Sequence, residues 1–287
     1  MDPDHGGLMT PGETSAQQRS DGLLLAIDIG NTNIVLGVFR GERLIESWRL
    51  ATFRERTADE VGIAVVGLFR HWHVDASRVG GIVMASVVPP LTGTLTAMAQ
   101  RYFGLTPLTM DGKVRTGMPI LYRNPAEVGA DRIVNGIAAY ERYGRHAGAP
   151  IIVVDFGTAT TIDAVTAKGE YLGGVICPGV QISADALFQR AARLPRTDVR
   201  KPPQVIGQTT VESMQSGLFY GYVGLVEGLV GRIRLELGEA AACVATGGLA
   251  HIIAPETTVI QHVEPDLTLH GLRIVWDRNA AGDPTGS

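Results

Sequence analysis

The chain has 287 residues, of which 45 % are hydrophobic and 19 % are charged, and its net charge is −4. This length allows one large or two medium domains, and the composition is that of an ordinary globular enzyme. The acidic balance gives no broad electrostatic reason to bind nucleic acid or anionic lipid, and the most apolar helical region, 217–231, is too short and too charged to span a membrane.

The two ends and the cysteines carry no predicted chemistry. Residues 1–22 are polar and lack the apolar stretch of a signal peptide, so they predict a disordered extension, and residues 279–287 predict a disordered tail. Cys177 and Cys243 lie in apolar surroundings without a CxxC or His-Cys grouping. They predict two core thiols in a reducing cytoplasm rather than a disulfide or a zinc site.

The first predicted elements are a buried strand over 23–29 and a second strand over 33–39, joined by a turn that starts at Asp28. The same pattern returns at Asp155, again after an apolar run. In each copy Asp-x-Gly ends the strand, Gly permits a tight turn, and the hydroxyl and amide residues that follow offer donors to phosphate. For one copy alone, an ordinary hairpin with an acidic turn is an equal alternative. Together, the two turns predict a nucleotide held in a cleft between two similar halves.

Strands and helices alternate between the two turns, which predicts an α/β sheet. Thr57 and Glu60 form a capping box that starts a helix, and further helices are predicted over 91–103 and 131–143. At the end of the first helix His71 and His73 form an HxH pair. Because no third ligand is near them in sequence, a solvated helix end is favoured over a metal site.

After the second turn the sequence predicts a helix over 180–194, a basic loop over 190–203 and a long helix over 209–237 with at most one interruption. A solvated loop is favoured over an anion site for the basic segment. The long helix carries five glycines on one stripe, which predicts a very close approach by a helix of the same chain or by a second subunit: Gly217, Gly221, Gly224, Gly228 and Gly231. A strand over 242–245 then leads into Gly247 and Gly248, where either a ribose or base lies against bare backbone or the chain simply turns.

Four further motifs accompany the turns: Ser86-Val-Val-Pro-Pro90, Gly129-Ala-Asp-Arg132, Glu212-Ser-Met-Gln-Ser-Gly217 and Ala245-Thr-Gly-Gly-Leu249. With them, residues 23–278 resemble type III pantothenate kinase, a family within the actin, hexokinase and Hsp70 superfamily. The resemblance implies an α/β fold of two similar ribonuclease H-like (actin-like ATPase) domains, 23–128 and 129–278, with the nucleotide cleft between them. It also implies ATP-dependent phosphorylation of pantothenate to 4′-phosphopantothenate, the first step of coenzyme A biosynthesis, by a cytoplasmic homodimer whose substrate pocket lies near the subunit contact.

The resemblance assigns roles to particular residues. The first ATP site would comprise Asp28, Ile29, Gly30, Asn31, Thr32, Asn33, Ile34 and Val35, and Thr158 would contact the ATP phosphates. Asp155 would contact a monovalent cation, K⁺ or NH₄⁺, while ATP would bind with Mg²⁺. Pantothenate would be bound by Tyr122, Gly129, Ala130, Asp131, Arg132 and Thr210. Asp131 would be the catalytic base.

These residue types suit those roles. A carboxylate can accept the proton of the pantothenate hydroxyl as the γ-phosphoryl group leaves ADP. Because Asp131 is predicted at the start of a helix, the helix dipole and free N–H groups are expected to keep it ionised with a low pKa. Arg132 can pair with the pantothenate carboxylate in a two-pronged contact. Taken alone, Asp131 and Arg132 would more simply be a helix cap with a surface ion pair.

Other functions remain open at this stage. A kinase of the same superfamily for a sugar, acetate or similar substrate is the first alternative, and Tyr122 with 129–132 argues against it. An ATP-binding accessory factor for transcription is the second, and the lack of a basic recognition helix disfavours direct DNA contact. An Hsp70-like chaperone is weaker, because no room remains for a peptide-binding domain. The sequence contains neither a P-loop nor a G-x-S-x-G elbow.

Overall fold

The computed structural model describes residues 22–191, 194–238 and 241–280. The described residues form two compact units, one up to Met110 and the other from Asp111 onward. Residues 1–21 and 281–287, which make up nearly all of the two predicted disordered ends, lie outside the described residues. Asn279 and Ala280 were expected in the tail but belong to the last helix.

The first unit is built on one sheet of five strands: β1 (Leu23–Ile29), β2 (Asn33–Arg40), β3 (Arg43–Ala51), β4 (Val79–Ser86) and β5 (Leu108–Thr109). Its helices are α1 (Ala58–His71) and α2 (Pro89–Phe103). The strand order is β3-β2-β1-β4-β5, with β1, β2 and β3 antiparallel and the β1–β4 and β4–β5 pairs parallel.

The predicted capping box is present at the start of α1. Thr57 N–H donates to Oε2 of Glu60 at 2.7 Å, and Glu60 N–H donates to Oγ1 of Thr57 at 3.3 Å. Two backbone N–H groups at the start of the helix, which have no partner within the helix, are thereby hydrogen-bonded by one pair of residues. The helix buries Val61, Val65 and Phe69 against the sheet, in one core cluster with alternate residues of β1. This is the periodicity expected of an amphipathic helix lying on a strand face.

The second unit has the same plan. Its strands are β6 (Ile151–Phe156), β7 (Ala159–Val165), β8 (Tyr171–Pro178), β9 (Ala242–Gly247) and β10 (His262–Val263). Its helices are α3 (Ala130–Ala139), α4 (Val180–Arg190), α5 (Thr210–Leu237), α6 (Ala250–Ile253) and α7 (Leu267–Ala280). The order is β10-β9-β6-β7-β8, with β6, β7 and β8 antiparallel and the β6–β9 and β9–β10 pairs parallel.

The two units match in the layout of their hairpins, although the second turn is one residue shorter than the first. Asp28 pairs with Val35 across the first hairpin, and Asp155 pairs with Thr161 across the second. Each second strand then carries an irregularity at the same distance from that pair, between Val38 and Phe39 and between Ala164 and Val165. A shared bulge position is a feature of related structures rather than of chance hairpins. The predicted duplication of the chain is confirmed.

The segment between the two sheets packs with the second unit. Leu121 N–H donates to the carbonyl of Tyr171 at 2.8 Å, and Tyr171 N–H donates to the carbonyl of Pro119 at 2.9 Å. Further along, Arg115 N–H donates to Oδ1 of Asn279 at 3.0 Å. Residues 111–128 are thus held by the second sheet and the last helix. The division into domains 23–128 and 129–278 stays a prediction.

The long helix agrees with its predicted extent and differs from its prediction in the surroundings of its glycines. It runs for 28 residues from Thr210 to Leu237 without interruption. The face with the five glycines is mostly exposed, and a Cβ added at any of them would meet no atom of the described residues within 4 Å. A close approach by another helix of the same chain is therefore wrong for the described residues, and a second subunit stays a prediction. No helix within the described ranges has the length and apolarity needed to cross a membrane.

Both cysteines are free thiols. Cys243 is buried on β9, and burial raises the pKa of its thiol to about 12, which makes it unreactive at neutral pH. Cys177 lies on the edge strand β8 and is only partly buried, so its predicted core position is wrong. Cys177 belongs to the inward-facing residues of β8, whose burial decreases from Tyr171 towards the end of the strand.

Helices α3 and α7 pack at backbone distance. A Cβ at Gly271 would overlap with the carbonyl oxygen of Val134. We expect Gly271→Ala to lower the free energy of unfolding by about 1–3 kcal/mol, because the helices must move apart. Gly93→Ala, on α2 where a Cβ meets open space, should instead raise it by up to about 1 kcal/mol. Urea denaturation of both variants tests this, and equal stability of Gly271→Ala and wild type would contradict the packing.

Candidate active site

The first predicted phosphate turn links β1 to β2. Gly30 N–H donates to the carbonyl of Asn33 at 3.0 Å, and Thr52 Oγ1 donates to the carbonyl of Gly30 at 2.7 Å, so the turn is held from inside and from β3. Asn31 and Thr32 are exposed at its tip. Ile29 and Ile34 have fully buried side chains, which leaves only backbone groups of these two residues for a ligand.

Asp28 and Val35 complete the first predicted site. They face each other across the β1–β2 pair, and both are partly buried. The parallel neighbour of Asp28 on β4 is Ala85, a small side chain. The carboxylate therefore stands at the end of three strands, at the same edge as the turn.

The second predicted turn follows β6. Thr158 is exposed at its tip, and its carbonyl oxygen would overlap with a Cβ at Gly179. Gly179 is the N-cap of α4, and no side chain caps that helix end. The turn therefore lies against a helix N-terminus, where backbone N–H groups and the helix dipole favour a negatively charged group.

Strand register places two aspartates on one face of the second sheet. Asp155 pairs with Thr161, and Val153 pairs with Asp163. Residues two apart on a strand share a face, so Asp155 and Asp163 are diagonal neighbours at roughly 7–8 Å between Cα atoms. Helix α3 covers this face, and its residues Arg132 and Asn135, one turn apart, meet the two carboxylates.

Arg132 and Asp163 form a buried ion pair. Nε of Arg132 donates to Oδ1 of Asp163 at 3.0 Å, and Nη2 donates to the same oxygen at 2.6 Å. The Tyr171 hydroxyl also donates to that oxygen, at 2.7 Å. Burial alone would lower the pKa of Arg132, but the hydrogen bonds and charge of Asp163 outweigh it, and the pKa is raised. Burial also raises the pKa of Asp163, against the hydrogen bonds from Arg132 and Tyr171 and the charge of Arg132, which lower it. Three donors on one carboxylate oxygen favour the ionised form of the pair.

Tyr122 lies beside the same group. Its ring packs on Gly173, where a Cβ would lie 3.2 Å from the ring, and Gly173 has a φ of 127° that other residues rarely adopt. The neighbouring residue Leu121 is hydrogen-bonded to Tyr171 of β8. The segment that precedes α3 thus brings Tyr122 to the strand that carries Tyr171.

Asp131 occupies the first turn of α3. Its Oδ1 accepts the N–H of Arg132 at 2.8 Å, and Gly129 is the N-cap, accepting the N–H of Arg132 at 3.1 Å. The predicted low pKa of Asp131 is wrong in direction. Burial raises the pKa of Asp131, and this outweighs the hydrogen bond and the charge of Arg132, which lower it.

Among the aspartates of this face, Asp155 has the largest shift in pKa. Burial, followed by the charge of Asp131, raises the pKa of Asp155 to about 7, against a hydrogen bond from Asn135 that lowers it. Three carboxylates, on Asp131, Asp155 and Asp163, share the face with one guanidinium. Such an excess of buried negative charge is costly unless a cation compensates it.

The donor set at Asp155 fits a monovalent cation better than a transition metal. Within the described residues, no three His, Cys, Asp or Glu side chains group together as metal ligands. Asp155 offers one carboxylate, and a Cβ at Gly247 would lie 2.6 Å from its Oδ1, so bare backbone faces that oxygen. One carboxylate with backbone carbonyls is a ligand set for a large, weakly charged ion.

Most, but not all, of the predicted site residues of the second unit come together. Asp131, Arg132, Asp155 and Tyr122 share the face just described. Thr210 is the exposed first residue of α5, capped by Thr209 and Glu212, and no described contact joins it to this group.

Four further members of the group were missed in the sequence: Asn135, Asp163, Tyr171 and Thr268. Asp163 had a signal, since it interrupts the apolar run from Ile162 to Val165. A charged residue inside a buried strand needs a partner.

The comparisons agree with one another on a family. A family model described as type III pantothenate kinase matches residues 24–232. A type III pantothenate kinase of Myxococcus xanthus is 57 % identical over 259 residues, covering 90 % of this chain and 100 % of the relative. One from Moorella thermoacetica is 55 % identical over 257 residues, covering 90 % and 100 %.

Solved structures at low identity bear on the fold alone. A Campylobacter jejuni protein described as a Baf family transcriptional activator aligns with a TM-score of 0.56 at 19 % identity, covering 89 % of this chain and 98 % of that one. A reductive activator for a corrinoid, iron-sulfur protein aligns with a TM-score of 0.53 at 12 % identity, covering 91 % and 61 %. The predicted fold class of two similar ribonuclease H-like domains is confirmed.

Proposed function

The chain belongs to the type III pantothenate kinase family, and we propose that it transfers the γ-phosphoryl group of ATP to pantothenate, giving 4′-phosphopantothenate for coenzyme A biosynthesis. Kinases of this family use ATP and a divalent metal ion. The observation that carries the proposal beyond family membership is the partly buried Asp131 in the first turn of α3, next to the Arg132–Asp163 pair. We propose Mg²⁺ as the divalent ion and the cytoplasm as the compartment.

Asp131 is the proposed general base. Its Oδ1 is occupied by the N–H of Arg132, which fixes the carboxylate and assigns Oδ2 as the proton acceptor. The pantothenate hydroxyl attacks the γ-phosphorus, its proton passes to Oδ2, and ADP leaves. The raised pKa favours this role, because a base is more effective as its pKa approaches the working pH.

The two turns are the proposed contacts for the ATP phosphates. Backbone N–H groups and hydroxyls of 28–35 would bind one side of the nucleotide, and Thr158 would bind its phosphates next to the uncapped start of α4. When bound, Mg²⁺ and the monovalent cation would neutralise phosphate charge. Asp28 and Asp155 are the proposed side chains for these two ions respectively.

Arg132 is proposed to bind the pantothenate carboxylate, with a change to the predicted contact. Asp163 occupies Nε and Nη2, so the guanidinium edge between them is not available for a two-pronged contact. Among the described residues, Nη1 receives no hydrogen-bond partner, and it is the proposed donor. Tyr122, Gly129 and Ala130 would line the same pocket.

A homodimer is part of the proposal. The exposed glycine face of α5 is accompanied by exposed apolar side chains on the same unit, including Ile176 at 64 %, Ile206 at 81 % and Leu235 at 82 % exposure. Apolar surface of this kind is typical of subunit contacts. Thr210, at the start of α5, would then reach pantothenate near the contact. Light scattering of the purified chain would test the dimer.

Phosphorylation assays test the proposed reaction. Purified protein with ATP, Mg²⁺ and K⁺ should convert pantothenate to a phosphorylated product, detected by mass spectrometry. With glucose, N-acetylglucosamine or acetate in place of pantothenate, no phosphorylated product should form, and ADP should form no faster than by ATP hydrolysis alone. Preferential phosphorylation of any of these three would contradict the substrate assignment.

A monovalent cation is expected to be required. With Mg²⁺ constant and ionic strength matched, turnover in Na⁺ alone should be at least about tenfold below turnover in K⁺ or NH₄⁺, because the proposed site is one for a large, weakly charged ion. A titration of K⁺ into Na⁺ buffer measures the effect. Equal turnover in the two buffers would remove the proposed role of Asp155.

A further inference from the structure

Asn135 is a buried amide with both ends engaged. It is 2 % exposed, its Nδ2 donates to Oδ2 of Asp155 at 3.1 Å, and its Oδ1 accepts the Thr268 hydroxyl at 2.7 Å. The Asp155 carboxylate is an acceptor when ionised, so it requires the NH₂ end of the amide. The amide oxygen must then face Thr268. The Thr268 hydroxyl, which can donate or accept, donates to this oxygen and so anchors the orientation that Asp155 requires.

The fold brings these three residues together from distant parts of the chain. Asn135 lies on α3, Asp155 near the end of β6, and Thr268 in the first turn of α7. Gly271 lies one turn after Thr268 on the same face of α7, and it is where that helix touches the backbone of α3. The close packing of the two helices is what puts the threonine hydroxyl within reach of the amide.

The two oxygens of Asp155 have different surroundings. Among the described residues, hydrogen bonds reach Oδ2 alone. Oδ1 faces the backbone at Gly247, which has a φ of 88° and where a Cβ would also lie 2.6 Å from the carbonyl oxygen of Phe156. Oδ2 is thus held by a donor. Oδ1 and the carbonyl oxygen of Phe156 both lie 2.6 Å from the Cβ position of Gly247, and a backbone carbonyl is the second type of ligand that a monovalent cation needs.

We propose that Asn135, anchored by Thr268, is a positioning residue that holds Asp155 with Oδ1 directed to the monovalent cation. This inference rests on the proposed cation role of Asp155. Residues that hydrogen-bond to a metal ligand fix the orientation of that ligand, and their loss typically weakens metal binding by about 10- to 100-fold. Neither Asn135 nor Thr268 contacts substrate in this assignment, so their effect should fall on cation binding rather than on the chemical step.

The test uses Thr268→Val, which keeps the shape of the side chain and removes the hydroxyl, and Thr268→Ser, which keeps the hydroxyl. In Thr268→Val the half-saturating K⁺ concentration for turnover should rise at least about tenfold, with turnover at saturating K⁺ within about threefold of wild type. Without substrates, K⁺ should raise the melting temperature of wild type and of Thr268→Ser. The same K⁺ concentration should raise that of Thr268→Val much less.

Thr96→Val is the matched control, because Thr96 is a partly buried helical threonine of the first unit whose hydroxyl, among the described residues, donates within its own helix, to the carbonyl of Thr92. It should respond to K⁺ as wild type does. If wild type and Thr268→Val respond to K⁺ identically, the positioning role is overturned, while the cation site at Asp155 still stands. If the K⁺ response of Thr268→Ser is as weak as that of Thr268→Val, the positioning role is overturned as well. A wild type indifferent to K⁺ in both assays would overturn the cation site and this inference with it.

Discussion

Replacing Asp131 with asparagine is expected to lower turnover by about 10²- to 10⁴-fold while leaving the protein folded. Asparagine has the same shape, and its Oδ1 can still accept the Arg132 N–H, but it cannot take a proton from the pantothenate hydroxyl. The variant also loses one of three neighbouring carboxylates that repel one another, so the free energy of unfolding should not fall. ATP binding should persist, because the proposed phosphate contacts lie on the two turns.

Steady-state assays at saturating ATP and pantothenate, together with calorimetric titration of ATP, measure these expectations. Asp75→Asn is the matched control, since Asp75 also accepts a backbone N–H, that of Ser77 at 3.0 Å, but lies exposed in the first unit. It should turn over at the wild-type rate. An Asp131→Asn enzyme within about threefold of wild type would show that the barrier does not depend on this carboxylate.

The repeated architecture could be predicted from local patterns. Each Asp-x-Gly turn follows an apolar run that can only be a buried strand, and the capping box at Thr57 and Glu60 starts α1 at the expected residue. Such signals lie within a few residues of one another, so no knowledge of distant packing is needed. The same holds for Asp131, whose place at a helix start follows from its immediate neighbours.

The contacts that tune the site could not be predicted in this way. Thr268 contacts Asn135 only because Gly271 allows α7 to pack closely against α3. No pattern near Thr268 in the sequence predicts this contact. Asp163 faces Arg132 because of strand register, which is a property of the hairpin as a whole. The pKa of Asp131 is raised, although the sequence predicted a low value. Its position at a helix start is a local property that the sequence reveals, but its burial depends on distant packing.

Separating Arg132 from Asp163 is expected to be the most destabilising change at the site. Arg132→Met or Asp163→Leu alone should lower the free energy of unfolding by about 3–5 kcal/mol, because each leaves one buried charge without its partner. Asp163→Leu also leaves the Tyr171 hydroxyl without its acceptor, which adds about 1–3 kcal/mol. Tyr171→Phe alone should cost only about 1 kcal/mol, since Asp163 keeps both bonds from Arg132.

Removing all three polar groups together should restore most of the loss. In the triple variant Arg132→Met, Asp163→Leu, Tyr171→Phe, no charge or hydroxyl of this group remains buried and unpaired, so its stability should be closer to wild type than that of either charge-removing single variant. Urea denaturation of the five proteins measures how far the loss in the triple variant departs from the sum of the three single losses. The triple variant should nevertheless fail to bind pantothenate, because the proposed Nη1 contact is gone. Additive losses across the set, with no recovery in the triple variant, would mean that Arg132 and Asp163 are not energetically paired and that the ion pair does not organise the pocket.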